Sequence, residues 1–274
     1  MAGLFGALLG ALFAPLACAQ IPDVTALLKE VQEHQRQTDA IRENYTFHEI
    51  VRTDVLDGAG KVKETKSEES EVFFVNGHRI IRQVKRDGVE LSAKEQEREL
   101  ERVRKEIDGY VKAARGDQRG RGGGRARFVT LILAVAKTSN ARRVQFRGRD
   151  TLVFDFEGDP KAKASGMDQS AAKKLAGTIW IDEADRQVAR MEVHFYDNFR
   201  IGGGLLASVQ KGTSMNVDQG PLGDGLWMQL ATEDHLAARV VVRNLRENLH
   251  IQDFDYKKFD IGMAQQIAAP GRKE

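Results

Sequence analysis

The stretch GTIWIDEADRQVARMEV, residues 177–193, is the part of the sequence that decides the fold. Ile179 and Ile181 fall at every second position, a turn-like run follows at residues 182–186, and Met191 resumes the same alternation. A period of two is typical of a strand that buries one face and exposes the other. The stretch therefore predicts a β-hairpin with one buried side.

Further strand-like segments lie on both sides of this hairpin. Those nearest the N-terminus are separated by Asp-Gly or Asn-Gly pairs, which favour the positive φ angles of tight hairpins. Besides the hairpin, the predicted strands are residues 45–57, 62–75, 78–86, 142–148, 152–157, 205–217, 225–232 and 239–251. Helical segments are inserted between groups of strands. This pattern predicts an α+β fold, a curved antiparallel sheet in the form of a half-open β-barrel with the helices on its concave side.

Two segments have the character of amphipathic helices, and a third is apolar all round. Residues 23–42 repeat apolar side chains at helical spacing. Ser92 and Glu95 form a capping box, which satisfies backbone donors at a helix start, and this helix ends near residue 115. Residues 128–136, FVTLILAVA, are apolar on nearly every side but too short to cross a bilayer.

The chain has 274 residues, of which 41% are hydrophobic, and this is enough for one large β domain. We expect that domain over residues 20–274, with a helical insertion at about residues 92–138. Inside the insertion, residues 114–127 are too rich in glycine for a helix or strand and too charged to be buried. They predict a solvated surface loop, and its arginines offer an alternative role in contact with an anionic membrane surface.

The first 19 residues carry no charge and end in Ala17-Cys18-Ala19, the small-x-small pattern that signal peptidase cleaves. We therefore expect an exported, periplasmic protein whose mature chain begins at Gln20. The alternative is a lipoprotein anchored through acylated Cys18. Because Cys18 is the sole cysteine, cleavage after Ala19 would leave neither a disulfide nor a catalytic thiol.

The hairpin resembles the W-I-D…R-x-E hairpin of the LolA-like family. The resemblance extends over most of residues 23–259, through RDGVELSAKEQERE at residues 86–99 and YKKF at residues 256–259, and it is strongest to a long-helix branch of that family. LolA-like proteins are periplasmic carriers of lipoproteins, and their half-open barrel holds acyl chains in an apolar cavity. The resemblance implies the same fold, compartment and non-covalent carrier function for this chain, with a lipid or lipoprotein acyl chain as its partner.

Apolar residues on one face of the predicted strands are the candidates for this cavity. A filled interior would turn the same residues into an ordinary core, so a second hypothesis is an envelope protein-interaction or sensing module with the same fold. The candidate cavity residues are Phe74, Phe146, Phe154, Phe156, Ile179, Ile181, Met191, Val193 and Phe195, and the candidate lid residues are Phe128, Leu131, Ile132 and Val135.

Catalytic and metal-binding patterns do not occur in the sequence. It has no G-x-S-x-G or Walker motif, and its six histidines never recur at the spacing that aims two imidazoles at one ion. Lys and Arg total 42 against 40 Asp and Glu, so that no overall charge attracts nucleic acid. We therefore predict a monomeric, non-enzymatic protein with no metal, no cofactor and no nucleic-acid partner.

Overall fold

The computed structural model describes residues 22–113, 124–223 and 226–258. The helices are α1 (Val24–Arg42), α2 (Ala93–Ala113), α3 (Gly124–Val135) and α4 (Gly166–Ala172), and a short 3₁₀ turn covers Gly202–Gly204. The strands are β1 (Tyr45–Leu56), β2 (Val62–Val75), β3 (His78–Arg86), β4 (Val89–Glu90), β5 (Ala136–Phe146), β6 (Arg149–Gly158), β7 (Leu175–Asp182), β8 (Gln187–Phe195), β9 (Phe199–Ile201), β10 (Ala207–Val209), β11 (Ser214–Gly223), β12 (Leu226–Val240) and β13 (Arg243–Lys258). The predicted signal sequence lies outside the described residues.

The strands of the described residues join into a single antiparallel sheet. Its order is β4-β3-β2-β1-β13-β12-β11-β8-β7-β6-β5, and the short strands β9 and β10 pair with each other beside β12. No hydrogen-bonded pairing within the described residues joins β4 to β5, so the sheet is open. The predicted α+β class with an open antiparallel sheet is confirmed.

Tight turns connect neighbouring strands where the sequence contains X-Gly pairs. Asn76 and Gly77 join β2 to β3 with φ angles of 50° and 79°, and Arg147 and Gly148 join β5 to β6 with φ angles of 52° and 76°. Positive φ at both central residues matches the right-handed twist of the flanking strands. These turns therefore set the register of the hairpins.

The hairpin of residues 177–193 forms as the sequence predicts. β7 pairs with β8, with Ile179 opposite Met191, and the side chains of Ile179 and Ile181 are fully buried. Gly177 is required where the strands approach closely, because a Cβ there would lie 1.9 Å from the Glu192 carbonyl oxygen. The hairpin is therefore specified both by its apolar period and by this glycine.

One face of the sheet, here called the core face, carries the main apolar cluster. It includes Phe154 of β6, Ile179 of β7 and Met191 of β8, and it is covered by helices α1 and α3. Helix α1 begins at Asp23, whose carboxylate accepts hydrogen bonds from the amides of Thr25 and Ala26. The helix buries its apolar stripe against the strands, as its sequence period predicts.

The strand register carries the core face across the sheet to β1. Directly paired residues of an antiparallel sheet point to the same side. The row runs from Met191 through Val217, Thr232 and Ile251 to Val51. The same face therefore extends over both the helix-covered strands and the strands β11, β12, β13 and β1.

Helix α2 packs on the opposite face of the sheet. Phe47 shares the core face with Val51 and pairs with Val72, so the next residue, Phe73, points the other way. Phe73 is buried there with Val103 of α2 in a second cluster. The prediction that the helices gather on one side is wrong for α2, because apolar residues at this end of the sheet also need cover on its second face.

The boundaries correct several sequence expectations. The predicted strand at residues 205–217 divides into β10 and β11, and Gly202–Gly204 forms a 3₁₀ turn before them. The predicted loop at residues 114–127 lies outside the described residues up to residue 123, whereas its last four residues begin α3. The capping box is confirmed in its Glu95 half, because the Ser92 amide donates to the Glu95 carboxylate at 3.0 Å, and the Ser92 hydroxyl donates to the same carboxylate at 2.6 Å.

Candidate functional site

An apolar groove of about 330 Å³ lies on the core face beside the helix-covered cluster. Strands β7, β8, β11, β12 and β13 contribute to it, and α3 closes one side. Ligand sites in proteins are typically apolar hollows of about 300–1,000 Å³ with a few polar groups. The groove is lined by Phe128, Leu175, Val193, His194, Phe195, Thr213, Ser214, Met215, Asp234, Leu236 and Leu249.

Strand register builds the floor of the groove. Val193 of β8 pairs with Met215 of β11, Met215 pairs with Asp234 of β12, and Asp234 pairs with Leu249 of β13. These four side chains form one row on the core face. The groove floor therefore follows from the alternation of four neighbouring strands, with a single carboxyl group among apolar neighbours in this row.

Most of the predicted cavity residues lie in a filled core. Leu27, Leu28 and Val31 of α1, together with Val129 and Ile132 of α3, are buried in the same cluster. They cover the strand residues that were expected to hold a ligand. The predicted cavity residues in this cluster are Phe154, Phe156, Ile179, Ile181, Met191 and Val193.

Two of the predicted cavity residues lie elsewhere. Phe146 is on the face opposite the core face, where its ring is 6.4 Å from that of Trp180. Phe74 is half-buried on β2, which is separated from β8 by β1, β13, β12 and β11. The structure does not bring these two residues together with the other predicted cavity residues, since Phe146 lies on the other face of the sheet and Phe74 lies on a distant strand.

Val193 and Phe195 do line the groove, and they are the part of the predicted cavity that borders open space. Val193 is buried at the boundary between the groove and the core, and Phe195 is half-buried. Sequence reasoning missed Leu175, Met215 and the β12–β13 residues of the groove. Leu245, Leu249 and Ile251 all lie at odd-numbered positions, and this alternation is a sequence signal that could have identified the face of β13 that lines the groove.

The predicted lid segment is a fixed wall of the core. Ile132 and Val135 are buried, and Leu131 is half-buried. Phe128 reaches the groove, and its ring lies edge-on to that of Phe156 at 6.1 Å. A helix anchored through these contacts forms a side of the groove rather than a cover over it.

Asp234 is the ionisable group of the groove floor. Its Oδ1 atom is buried and has no hydrogen-bond partner among the described residues. Burial raises the pKa of Asp234 above its ordinary value, and His235 opposes this only in part. A carboxyl group in these surroundings favours a ligand that brings a hydrogen-bond donor beside its apolar part.

A polar network stabilises the hairpin turn away from the groove. Arg149 donates hydrogen bonds to Asp182 at 2.5 and 3.0 Å and to Asp185 at 2.6 Å, and the Trp227 indole donates to Asp185 at 2.9 Å. Burial alone would raise the pKa of Asp182, but the hydrogen bonds and charge of Arg149 bring it below its ordinary value. The network's role is structural, since these groups already bind one another.

No metal centre forms among the residues that the structure describes, where no three His, Cys, Asp or Glu side chains come together as ligands. Within those same residues no helix is long and apolar enough to cross a membrane. The carboxylates of Asp182 and Asp185 share Arg149 as an ion-pair partner.

No family model matches the chain, and no curated protein matches its sequence. Among solved structures it is similar to an outer membrane lipoprotein-sorting protein domain from Vibrio parahaemolyticus, at 12% identity and a TM-score of 0.35, over 86% of this chain and 94% of that one. A DUF1329 family protein from Desulfovibrio piger matches at 10% identity and a TM-score of 0.35, over 89% and 96% of the two chains.

A third structure, the MucA/MucB complex of Pseudomonas aeruginosa, matches at 8% identity and a TM-score of 0.23, over 87% of this chain and 97% of that one. At these TM-scores the likeness carries no argument about what this chain binds.

Proposed function

We propose that this chain is an exported periplasmic protein that binds a lipid or the acyl chain of a lipoprotein in the groove, without covalent chemistry. The observation that carries the proposal is the open groove itself. Its lining is largely apolar, and it lies beside a core that already has its own cover. An apolar groove of this size in a water-exposed protein favours an apolar ligand.

The physical basis of binding is burial of methylene groups. Each buried methylene contributes about 0.8 kcal/mol, so a chain with about ten buried methylenes gains about 8 kcal/mol before ordering costs are subtracted. Asp234 at the floor disfavours a carboxylate beside it and favours a hydroxyl, amine or amide N–H. The proposed ligand is therefore an acyl chain whose polar end donates a hydrogen bond.

Displacement of a fluorescent acyl probe tests this function. Leu249 belongs to the groove and not to the main core cluster, so Leu249→Trp fills the groove with little disturbance of the core. We expect this variant to melt like the unmodified protein and to bind the probe at least about tenfold more weakly, a difference of about 1.4 kcal/mol.

A matched control places the same bulk outside the groove. Leu222 is an exposed leucine near the end of β11, and Leu222→Trp should leave probe affinity unchanged. Equal loss of binding in both variants, or no binding by the unmodified protein, would contradict the acyl-binding function.

A second candidate is an envelope protein-interaction or sensing module. The observation that favours it is the filled core, because the helices occupy the space expected for a large acyl cavity. In that case the unmodified protein would bind no acyl probe and would instead capture a defined protein partner after crosslinking in the periplasm. The displacement assay separates the two candidates.

Export has its own test, which is the intact mass of protein recovered from the periplasm. A mature chain that begins at Gln20 gives the mass of the unmodified remainder. A diacylated Cys18 gives a larger mass and supports the lipoprotein alternative.

A further inference from the structure

Two adjacent turns at one end of the sheet expose a group of large aliphatic side chains. One turn follows Gly202–Gly204, and the other joins β12 to β13. The Val241 amide donates a hydrogen bond to the Leu206 carbonyl oxygen at 2.9 Å, which holds the two turns side by side. The exposed residues, here called the aliphatic tips, are Leu205, Leu206, Val240, Val241 and Val242, of which Leu205 and Val242 are 82% and 86% exposed.

The backbone of these turns is specified by the sequence. The three glycines at positions 202–204 have φ angles of +60°, +65° and +92°, which side chains other than glycine rarely adopt. The Arg239 guanidinium donates a hydrogen bond to the Gly204 carbonyl oxygen at 3.1 Å. The glycine turn therefore has a defined backbone conformation, which the hydrogen bond from Arg239 of β12 stabilises.

A basic hollow of about 600 Å³ lies directly beside the tips. Arg200, Lys211 and Arg239 line it, and none of its lining residues within the described chain is acidic. Arg243 follows the tip residue Val242 and is also exposed. The nearby carboxylate of Asp197 already forms an ion pair with Lys174. The surroundings of the tips are therefore strongly cationic, although the net charge of the chain is only +2.

We propose that the aliphatic tips and the basic hollow form a docking surface for a bilayer that contains anionic phospholipid. Aliphatic side chains enter the boundary between head groups and acyl chains, and the arginines and the lysine bind the phosphates. A protein partner would gain from the apolar tips alone, whereas the cations concentrated around them complement a surface of negative charge. The surface does not depend on the proposed acyl groove.

Strand β12 connects this surface to the groove. Leu236 of the groove and Val240 of the tips lie on the same side of β12, four residues apart. At about 3.3 Å per residue this is about 13 Å along the strand. A bilayer bound at the tips therefore lies close to the groove, where an acyl chain would enter or leave.

Vesicle flotation tests the docking surface. The full chain is mixed with vesicles of phosphatidylcholine alone or of phosphatidylcholine and phosphatidylglycerol in equal amounts, at low and high salt. We expect flotation with the anionic vesicles at low salt. The variant Leu205→Ser/Leu206→Ser/Val242→Ser and the variant Arg200→Glu/Arg243→Glu should each bind at least about tenfold more weakly.

Matched controls change exposed residues elsewhere on the chain. Val62 and Val89 are 56% and 69% exposed, so Val62→Ser/Val89→Ser removes exposed apolar surface away from the tips, and Lys63→Glu/Lys163→Glu reverses two exposed charges. Both controls should float like the unmodified protein, and all variants should melt at the same temperature.

Three results would overturn the docking surface. The first is an unmodified, folded protein that does not float with anionic vesicles. The second is a tip variant that binds as well as its control. The third is a dimer that the tip variant abolishes without any flotation, which would assign the tips to a second copy of this chain. An unmodified protein that does not float with anionic vesicles but still binds the acyl probe in the displacement assay would overturn this surface alone and leave the groove function standing.

Discussion

The two halves of the core face have the same alternation of apolar residues, but one half is a filled core and the other borders an open groove. On β6, β7 and β8 the apolar residues are covered by α1 and α3 and form a filled core. On β11, β12 and β13 the same face continues beyond the core cluster into a groove that α3 borders on one side. Apolar alternation therefore specifies which face of a strand points inward, whereas the placement of the helices decides whether that face becomes a filled core or an open groove.

The largest expected difference between the halves is the cost of removing a side chain. Ile179→Ala in the filled half should reduce the free energy of unfolding by about 2–5 kcal/mol, because it leaves a cavity among packed neighbours. Leu249→Ala in the groove should cost less than about 1.5 kcal/mol, since its side chain is already in contact with solvent-accessible space. Urea denaturation measures both changes in the free energy of unfolding. Equal changes would contradict the distinction between a filled core and an open groove.

The same substitution at two glycines should give a smaller difference. A Cβ on Gly177 in the filled half meets the Glu192 carbonyl oxygen at 1.9 Å, which is backbone that cannot easily move. A Cβ on Gly220 of β11 meets only the Leu230 side chain at 2.8 Å. We expect Gly177→Ala to destabilise by about 1–3 kcal/mol and Gly220→Ala by less than about 1 kcal/mol. Thermal melting of both variants measures this difference. A larger loss of stability in Gly220→Ala than in Gly177→Ala would contradict it.

The smallest effect concerns the carboxyl group of the open half. Because burial raises the folded-state pKa of Asp234, its contribution to stability is present below the unfolded pKa near 3.8 and is lost as pH rises through the folded value. Asp234→Asn should therefore gain stability relative to the unmodified protein as pH rises from below 3.8 to neutral.

The gain should be below about 1 kcal/mol, because solvent screens a partly exposed carboxyl. Urea denaturation across this pH range provides the measurement. If the difference in stability between Asp234→Asn and the unmodified protein does not change with pH, the Asp234 carboxyl group is hydrated and the groove floor is open to water.

The fold was largely predictable because its signals are local. The period of residues 177–193, the X-Gly turns and the Ser92–Glu95 box each depend on neighbours in sequence, and each is present in the structure. The side of the sheet that α2 takes was not predictable. It depends on Phe73 and Ile80, whose alternation alone does not show which helix covers them.

The candidate site was predicted only at its edge. Val193 and Phe195 line the groove, but Ile179 and Ile181 have the same alternation and lie under α1. Apolar residues on a strand give the same sequence pattern whether a helix covers them or they line a groove. The distinction comes from tertiary packing, which a single sequence does not encode in any local period.

Methyl-group NMR with a spin-labelled acyl chain tests the central claim most directly. We expect the label to broaden the methyl signals of Met215, Leu236 and Leu249 in the groove. We expect the methyl signals of Ile179 and Ile181 in the filled core to broaden less, because these residues lie farther from the label. Broadening at the two isoleucines with none at the groove residues, or no broadening anywhere, would contradict that claim.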